Sequence, residues 1–284
     1  MIDPPEPLCL ARRSLTAIGR FRGIAFAVLI ALAVLSGFVR AAPPATVSAI
    51  AAEATQFRLT LTDGRVLRSP GLVGAKLLIE TPTGPAKIRI VAVERGPDAK
   101  SGDVWLHTQE VEQPDGTAVN LCDPGPDGRR QGFPLATRMR ADGGSENTAP
   151  EQIELVCSAG ARAKCVRFGY RPWEAAETAL YAACTRMVHA VYCGDSVATT
   201  KNGMTIDMYD DRRIQVPDTG PDLEFEAGWT PGGAVCVRHV RVRENISLDR
   251  AVAASPRLAG KTGDMCTEDA ARALGATLFN RSRP

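Results

Sequence analysis

The stretch "QFRLTLTDGRVLRS", Gln56–Ser69, decides the fold class. Phe57, Leu59 and Leu61 alternate with polar residues and so share one face of a strand, and Asp63-Gly64 follows where the chain must reverse. Asp-Gly between two alternating runs signals a hairpin, because the tight turn needs residues that accept positive φ. "KLLIETPTGPAKIRIVAVE" repeats the arrangement around Thr83-Gly84-Pro85, and "DVWLHTQEVEQPDGTAVNLC" repeats it around Asp115-Gly116. Three hairpins in succession predict an amino-terminal antiparallel β meander over residues 56–150, closing on one core as a small barrel or sandwich. Its last part, Asp123 to Pro150, is rich in Gly, Pro, Asp and Asn and reads as loop with one short strand near Phe133–Thr137.

The chain before the meander has a different character. Arg12, Arg13, Arg20 and Arg22 precede an uncharged run of 17 residues, Gly23–Val39, and Val39-Arg40-Ala41 fits the small-x-small pattern of signal peptidase. Residues 1–41 therefore read as a signal peptide and 42–55 as a linker. The competing reading is an uncleaved anchor, for which 17 residues is the short limit. The leader carries five arginines against Asp3 and Glu6, so its removal takes the net charge from +2 to about −1. That balance gives a polyanion no purchase, so nucleic acid is not an expected partner. No second apolar span appears, and no membrane span is expected after cleavage. The expected location is periplasmic or extracellular. The leader and the Ala/Arg-rich composition look bacterial, which discounts the glycosylation patterns at Asn245 and Asn280.

Export makes disulfides the first reading of the seven remaining cysteines, Cys122, Cys157, Cys165, Cys184, Cys193, Cys236 and Cys266. No Cys-x-x-Cys pair suggests zinc. Local pairing joins Cys122 to Cys157 or Cys165, and Cys184 to Cys193 or Cys266. An odd count leaves one thiol unpaired or shared between chains. Residues 151–284 form the second part, a disulfide-rich α+β module with three helices, so the whole is α+β. "WEAAETALYAACTRMVHA" is the clearest helix, with Leu180, Cys184, Met187 and Val188 on one stripe and Glu174 and Glu177 in its first turn. Asn202-Gly203 signals a hairpin turn, and "MTIDMY" beyond it alternates. "AVCVRHVRV" reads as a strand carrying Cys236. Ser247 is placed to cap "LDRAVAA" and Thr267 to cap "AARALGATLF", with Ala271, Leu274 and Leu278 as its stripe.

Candidate chemistry concentrates in "AVYCGDSVATTKNGMTIDMYDD", Ala190–Asp211. Gly194-Asp195-Ser196 resembles the nucleophile motif of GDSL-type esterases, but those enzymes need a later Asp-x-x-His. Here Cys236 stands three before His239, and a serine without its base is inert. His189 precedes Cys193 by four residues, a spacing that can activate a thiol, although a disulfide is the better reading in an oxidising compartment. Asp207, Asp210 and Asp211 are calcium candidates. Asp195 and Asp207, with His189, are the candidates for acid–base catalysis. Arg212 stands where an EF-hand loop from Asp207 would need glycine, so no metal and no cofactor is expected. His107 and His239 read as structural. Tyr170, Arg171 and Trp173 in "FGYRPWE" read as loop cement ahead of a helix start at Pro172.

"CTRMVHAVYCGDSVATTKNGMTIDMYD" resembles the signature of the ADYC-domain family, named for a run ending in Tyr-Cys. Ala190-Val191-Tyr192-Cys193 stands in that place, with valine where the name has aspartate. "CSAGARAKCVRFGYRPW", "FEAGWTPGGAVCV" and "LFNRS" are similar to further blocks of the family, in order. The resemblance implies an exported, disulfide-bearing bacterial protein of unestablished activity. It also implies that Ser255 in "AASPRL" replaces a family cysteine, leaving Cys236 or Cys266 without a partner. The expected function is therefore non-catalytic: binding, or a role in the envelope with an envelope or extracellular protein partner. The alternative is an exported hydrolase using carboxylates around Asp195 and Asp207.

Overall fold

Asp63-Gly64 joins two strands as its chemistry dictates. In the computed structural model, which describes residues 45–81, 84–97, 103–141, 144–218 and 222–284, β1 (Val47–Glu53), β2 (Gln56–Leu61) and β3 (Val66–Arg68) form an antiparallel sheet in that order. β1 lies inside the stretch read as linker, and it pairs with β2 from Glu53↔Gln56 to Val47↔Leu61. The connecting turn uses Ala54 at φ 53°, a conformation alanine rarely adopts, so no turn signal marked it. The signal segment 1–41 lies outside the described residues. No described helix is long and apolar enough to cross a membrane.

The next hairpins build a larger sheet. β4 (Lys76–Thr81), β5 (Gly84–Arg95), β6 (Trp105–Glu112), β7 (Ala118–Asn120) and β8 (Gly132–Leu135) follow in sequence. After a two-stranded ribbon of β9 (Thr137–Met139) and β10 (Ser145–Asn147) comes β11 (Glu154–Cys157). The sheet order is β11-β8-β6-β5-β4, with β7 also paired to β6. Phe57, Leu59, Leu72, Leu77 and Ile90 are buried together, so the face that alternation assigned to Phe57 and Leu59 is the one that packs. The two ends of that order, β4 and β11, and the side strand β7 each pair on one side alone, and all three are short.

The helical part begins with α1 (Ala161–Arg167) and α2 (Thr178–His189), followed by β12 (Ile206–Asp210), β13 (Glu224–Thr230), β14 (Gly233–Val237), α3 (Leu248–Ala254), α4 (Glu268–Ala273) and β15 (Leu278–Ser282). The α+β class holds, with four α-helices rather than three. A second antiparallel sheet runs β12-β15-β13-β14. Leu106, Phe133 and Val156 share one buried cluster with Leu180, Cys184, Met187, Trp229 and Leu278. The main core therefore runs across residue 150 without a break.

Several expectations change here for physical reasons. α2 begins at Thr178, with Glu177 as its N-cap and no acid in its first turn. α4 stops early: Gly275 at φ 85° reverses the chain, and Leu278 opens β15, an inner strand between β12 and β13. The Asn202-Gly203 turn leads into β12 but makes no hairpin, because the partner of β12 is β15. Ser247 and Thr267 do cap α3 and α4, accepting from Arg250 N at 3.2 Å and Ala270 N at 3.1 Å.

The disulfides are Cys122–Cys157, Cys165–Cys184 and Cys236–Cys266. The first is one of the two expected pairings of Cys122. The second corrects the pairing of Cys184 with Cys193 or Cys266: α1 and α2 pack side by side, so the cysteines at their facing positions meet. The third corrects the expectation that Cys236 or Cys266 stands alone.

Candidate functional site

The signature loop starts where α2 ends, at Ala190 with φ 52°. Tyr192 turns inward, stacks on Trp229 at 5.3 Å, donates its hydroxyl to Glu226 Oε1 at 2.8 Å and accepts from Arg241 N at 2.9 Å. Arg241 meets Glu226 with two nitrogens, Nε to Oε2 at 3.0 Å and Nη2 to Oε1 at 2.9 Å, and both side chains are 0% exposed. Arg241 Nη2 also donates to the carbonyl of Met187 at 3.0 Å, in the last turn of α2, where the helix dipole favours a cation. Burial, then the neighbouring carboxylate of Glu226, pushes the Tyr192 phenol up, so it stays protonated as the hydrogen-bond donor.

The glycine of Gly194-Asp195-Ser196 is a packing residue. A Cβ there would lie 2.1 Å from the carbonyl oxygen of Gly232, and φ is +74°. Asp195 closes a local turn, Oδ1 accepting from Val197 N at 3.0 Å, while its backbone carbonyl accepts from Arg186 Nη1 at 2.7 Å. Ser196 is exposed. Cys193 is the unpaired cysteine among the described residues; it is half-buried, with Sγ 3.6 Å from the carbonyl oxygen of Ala251. It lines a cavity of about 190 Å³ with Tyr192, Asp195, Thr199, Ile246 and Arg250. Burial and the charge of Asp195 push its thiol up, against a smaller opposing effect of Arg257, which is the reverse of what a nucleophile needs. His189 is pushed down by burial and by the cations Lys164 and Arg186.

In a chain beginning at Ala42, thiol titration of the denatured, unreduced protein is expected to find one free thiol, and Cys193→Ser to remove it. A second thiol, or one surviving in Cys193→Ser, would contradict these pairings.

The three calcium candidates have separate partners. Asp210 Oδ1 accepts from the backbone of Arg212 and Ile214 at 2.9 and 3.2 Å, and Oδ2 accepts from Gln215 N at 2.8 Å and from the Tyr170 hydroxyl at 3.0 Å. Asp211 pairs with Arg272 of α4. Asp207 Oδ1 accepts from Asp218 N at 3.0 Å, with Arg281 3.9 Å from Oδ2. Among the described residues no three His, Cys, Asp or Glu side chains are grouped to hold a metal. No hydrogen bond or ion pair among the described residues joins any two of Asp195, Asp207 and His189, which lie in the signature loop, β12 and the end of α2. Tyr170, fully buried and bonded to Asp210, cements its loop, and Arg171 lies 3.5 Å from Asp103. His107 is buried, with Nδ1 3.3 Å from the Gly132 carbonyl oxygen, and burial pushes it down to about 4. His239 is nearly buried.

A site that the sequence did not mark lies on the large sheet. β4 and β11, the two ends of its strand order, line one cleft of about 740 Å³, to which β1 adds Val47 and Ile50, and β2 adds Phe57. The walls are mainly apolar, with Leu77, Leu78, Ile79, Ile153 and Leu155, and carboxylates at Glu80, Glu151 and Glu154. The hairpin strand β4 and the alternation that places Phe57 were visible beforehand. β11 had no signal of its own, because four residues are too short for a period to show.

The family model described as ADYC domain matches residues 69–243, a span that holds β4 to β14, the signature loop and both edges of the cleft. No curated protein and no solved structure matches.

Proposed function

The chain belongs to the ADYC-domain family, and from that premise we propose that it is an exported binding protein of the bacterial envelope or its surroundings, with the cleft between β4 and β11 as its binding surface. The observation that carries the reading is the cleft: about 740 Å³ of apolar wall with a few carboxylates, in the size range of small-ligand sites. The basic and apolar leader supports export, as do three disulfides, which suit an oxidising compartment. Binding is favoured over hydrolysis because the aspartates near the signature hold turns and ion pairs rather than facing one another.

Nile red tests the reading without a known ligand. The protein is expected to give enhanced, blue-shifted emission that weakens at least tenfold in Leu78→Asp. Leu78 is 52% exposed, so that change spares the core. No enhancement, or a signal abolished instead by Ile246→Asp in the cavity beside Cys193, would overturn the assignment.

A further inference from the structure

Resting on that reading of the cleft, we propose a specific kind of occupant: an extended peptide segment of alternating apolar and cationic residues, added as a strand to the edge of β4. β4 pairs with β5 alone and β11 with β8 alone. Successive side chains of a strand point to opposite faces, so a strand presenting a face lines a cavity with every second residue. Here 77–80 of β4 all line the cleft, and so do the adjacent Glu154 and Leu155 of β11, which means that the strand edges face it.

The register identifies the free backbone groups. Glu80 stands opposite Pro85, which has no N–H, as suits a non-hydrogen-bonded pair of an antiparallel ladder. Glu80 and Leu78, two residues apart, therefore direct their amides and carbonyls away from β5 and toward the cleft. Neither residue has another backbone partner among the described residues. Natural sheets usually shield such an edge with proline, a bulge or charge, or cover it. β4 carries exposed charges at Lys76 and Glu80, but between them it offers Leu78, a large apolar side chain in the open.

Charge selects the occupant. No lysine or arginine lines the cleft. Glu154 is paired with Arg162, whereas Glu80 and Glu151 have no cationic partner among the described residues. A strand of six residues spans about 20 Å, so the complementary segment is six to eight residues long. Its backbone would satisfy the outward groups of β4, its apolar side chains would lie on the face of the half-buried Ile79, and its cations would lie on the opposite face and meet Glu80 and Glu151.

The test uses a fluorescein-labelled octapeptide of alternating lysine and valine, acetylated and amidated, followed by anisotropy. Binding is expected, with displacement of Nile red. At least tenfold weakening is expected for the peptide N-methylated at every second residue, for a glutamate–valine peptide, and for the Glu80→Lys/Glu151→Lys protein, whose two exposed changes leave the core intact. Equal binding of the N-methylated peptide would overturn strand addition, and equal binding of the acidic peptide would overturn charge selection. Nile red bound in the cleft with no peptide binding would end this proposal and leave the cleft reading standing; failure of both probes ends both. A dimer in sedimentation that the peptide does not dissociate would assign the edge to a second copy and overturn the proposal.

Discussion

Glu226→Ala is expected to destabilise the protein by about 3–5 kcal/mol, because it strands a buried cation. The side chains of Arg241 and Glu226 are both 0% exposed, and among the described residues each is the other's one ion-pair partner. The substitution leaves the guanidinium buried without its carboxylate, and the Tyr192 hydroxyl loses its acceptor in the same step. The pair also holds three elements together: β13 through Glu226, the end of α2 through the Met187 carbonyl, and the signature loop through Tyr192. Replacing both partners by apolar residues, Glu226→Leu with Arg241→Met, is expected to recover much of the loss, since no buried charge then remains. Urea denaturation followed by circular dichroism measures both. A loss below about 1 kcal/mol in the single variant would show that the pair is not the compensation that the burial implies.

That network also explains why the Tyr-Cys signature misleads as chemistry. The residues that stand out in sequence are polar, yet they work as packing and as turn closures. Tyr192 is a core ring with a buried hydrogen bond, Gly194 admits a carbonyl that no Cβ would allow, and Asp195 and Asp210 close loops with their own neighbours.

Legibility followed the range of the forces involved. The hairpins at Asp63-Gly64 and Asp115-Gly116 were readable because turn chemistry and alternation act within ten residues, and the caps at Ser247 and Thr267 were readable for the same reason. β15 was not. "ARALGATLF" has helical composition, and only pairing with β12 and β13 makes its end a strand. β1 was hidden by an alanine in the turn position, and α1 by its brevity. Disulfide pairing failed where proximity in sequence stood in for proximity in space, since Cys193 lies nine residues from Cys184 while α1 brings Cys165 to it. The cleft could not be read at all, because it exists only where two edges of one curved sheet and a separate small sheet come together.

Removing Cys122–Cys157 is expected to affect stability and binding together, which distinguishes it from the other long-range bridge. Closing a loop of 35 residues constrains the unfolded chain by about 4 kcal/mol on the chain-entropy estimate, and the 30-residue closure of Cys236–Cys266 by nearly the same. Their places in the fold differ. Cys157 is the last residue of β11, a strand of four residues held on one side only, and both it and Leu121 line the cleft. Without the bridge, β11 keeps its ladder to β8, the Glu154–Arg162 pair and the packing of Val156, and a short strand held on one side opens locally more readily. The serine pair at 122 and 157 is therefore expected to lose about 4 kcal/mol and, under conditions where it remains folded, to bind Nile red and the lysine–valine peptide at least tenfold more weakly. The serine pair at 236 and 266 is expected to lose a similar amount of stability and to keep both affinities, because β14 and the turn before α4 lie in the second sheet region, away from the cleft. Denaturant midpoints and probe titrations on the two variants separate the effects. Equal affinities in both would mean that the β11 edge holds its place without its bridge.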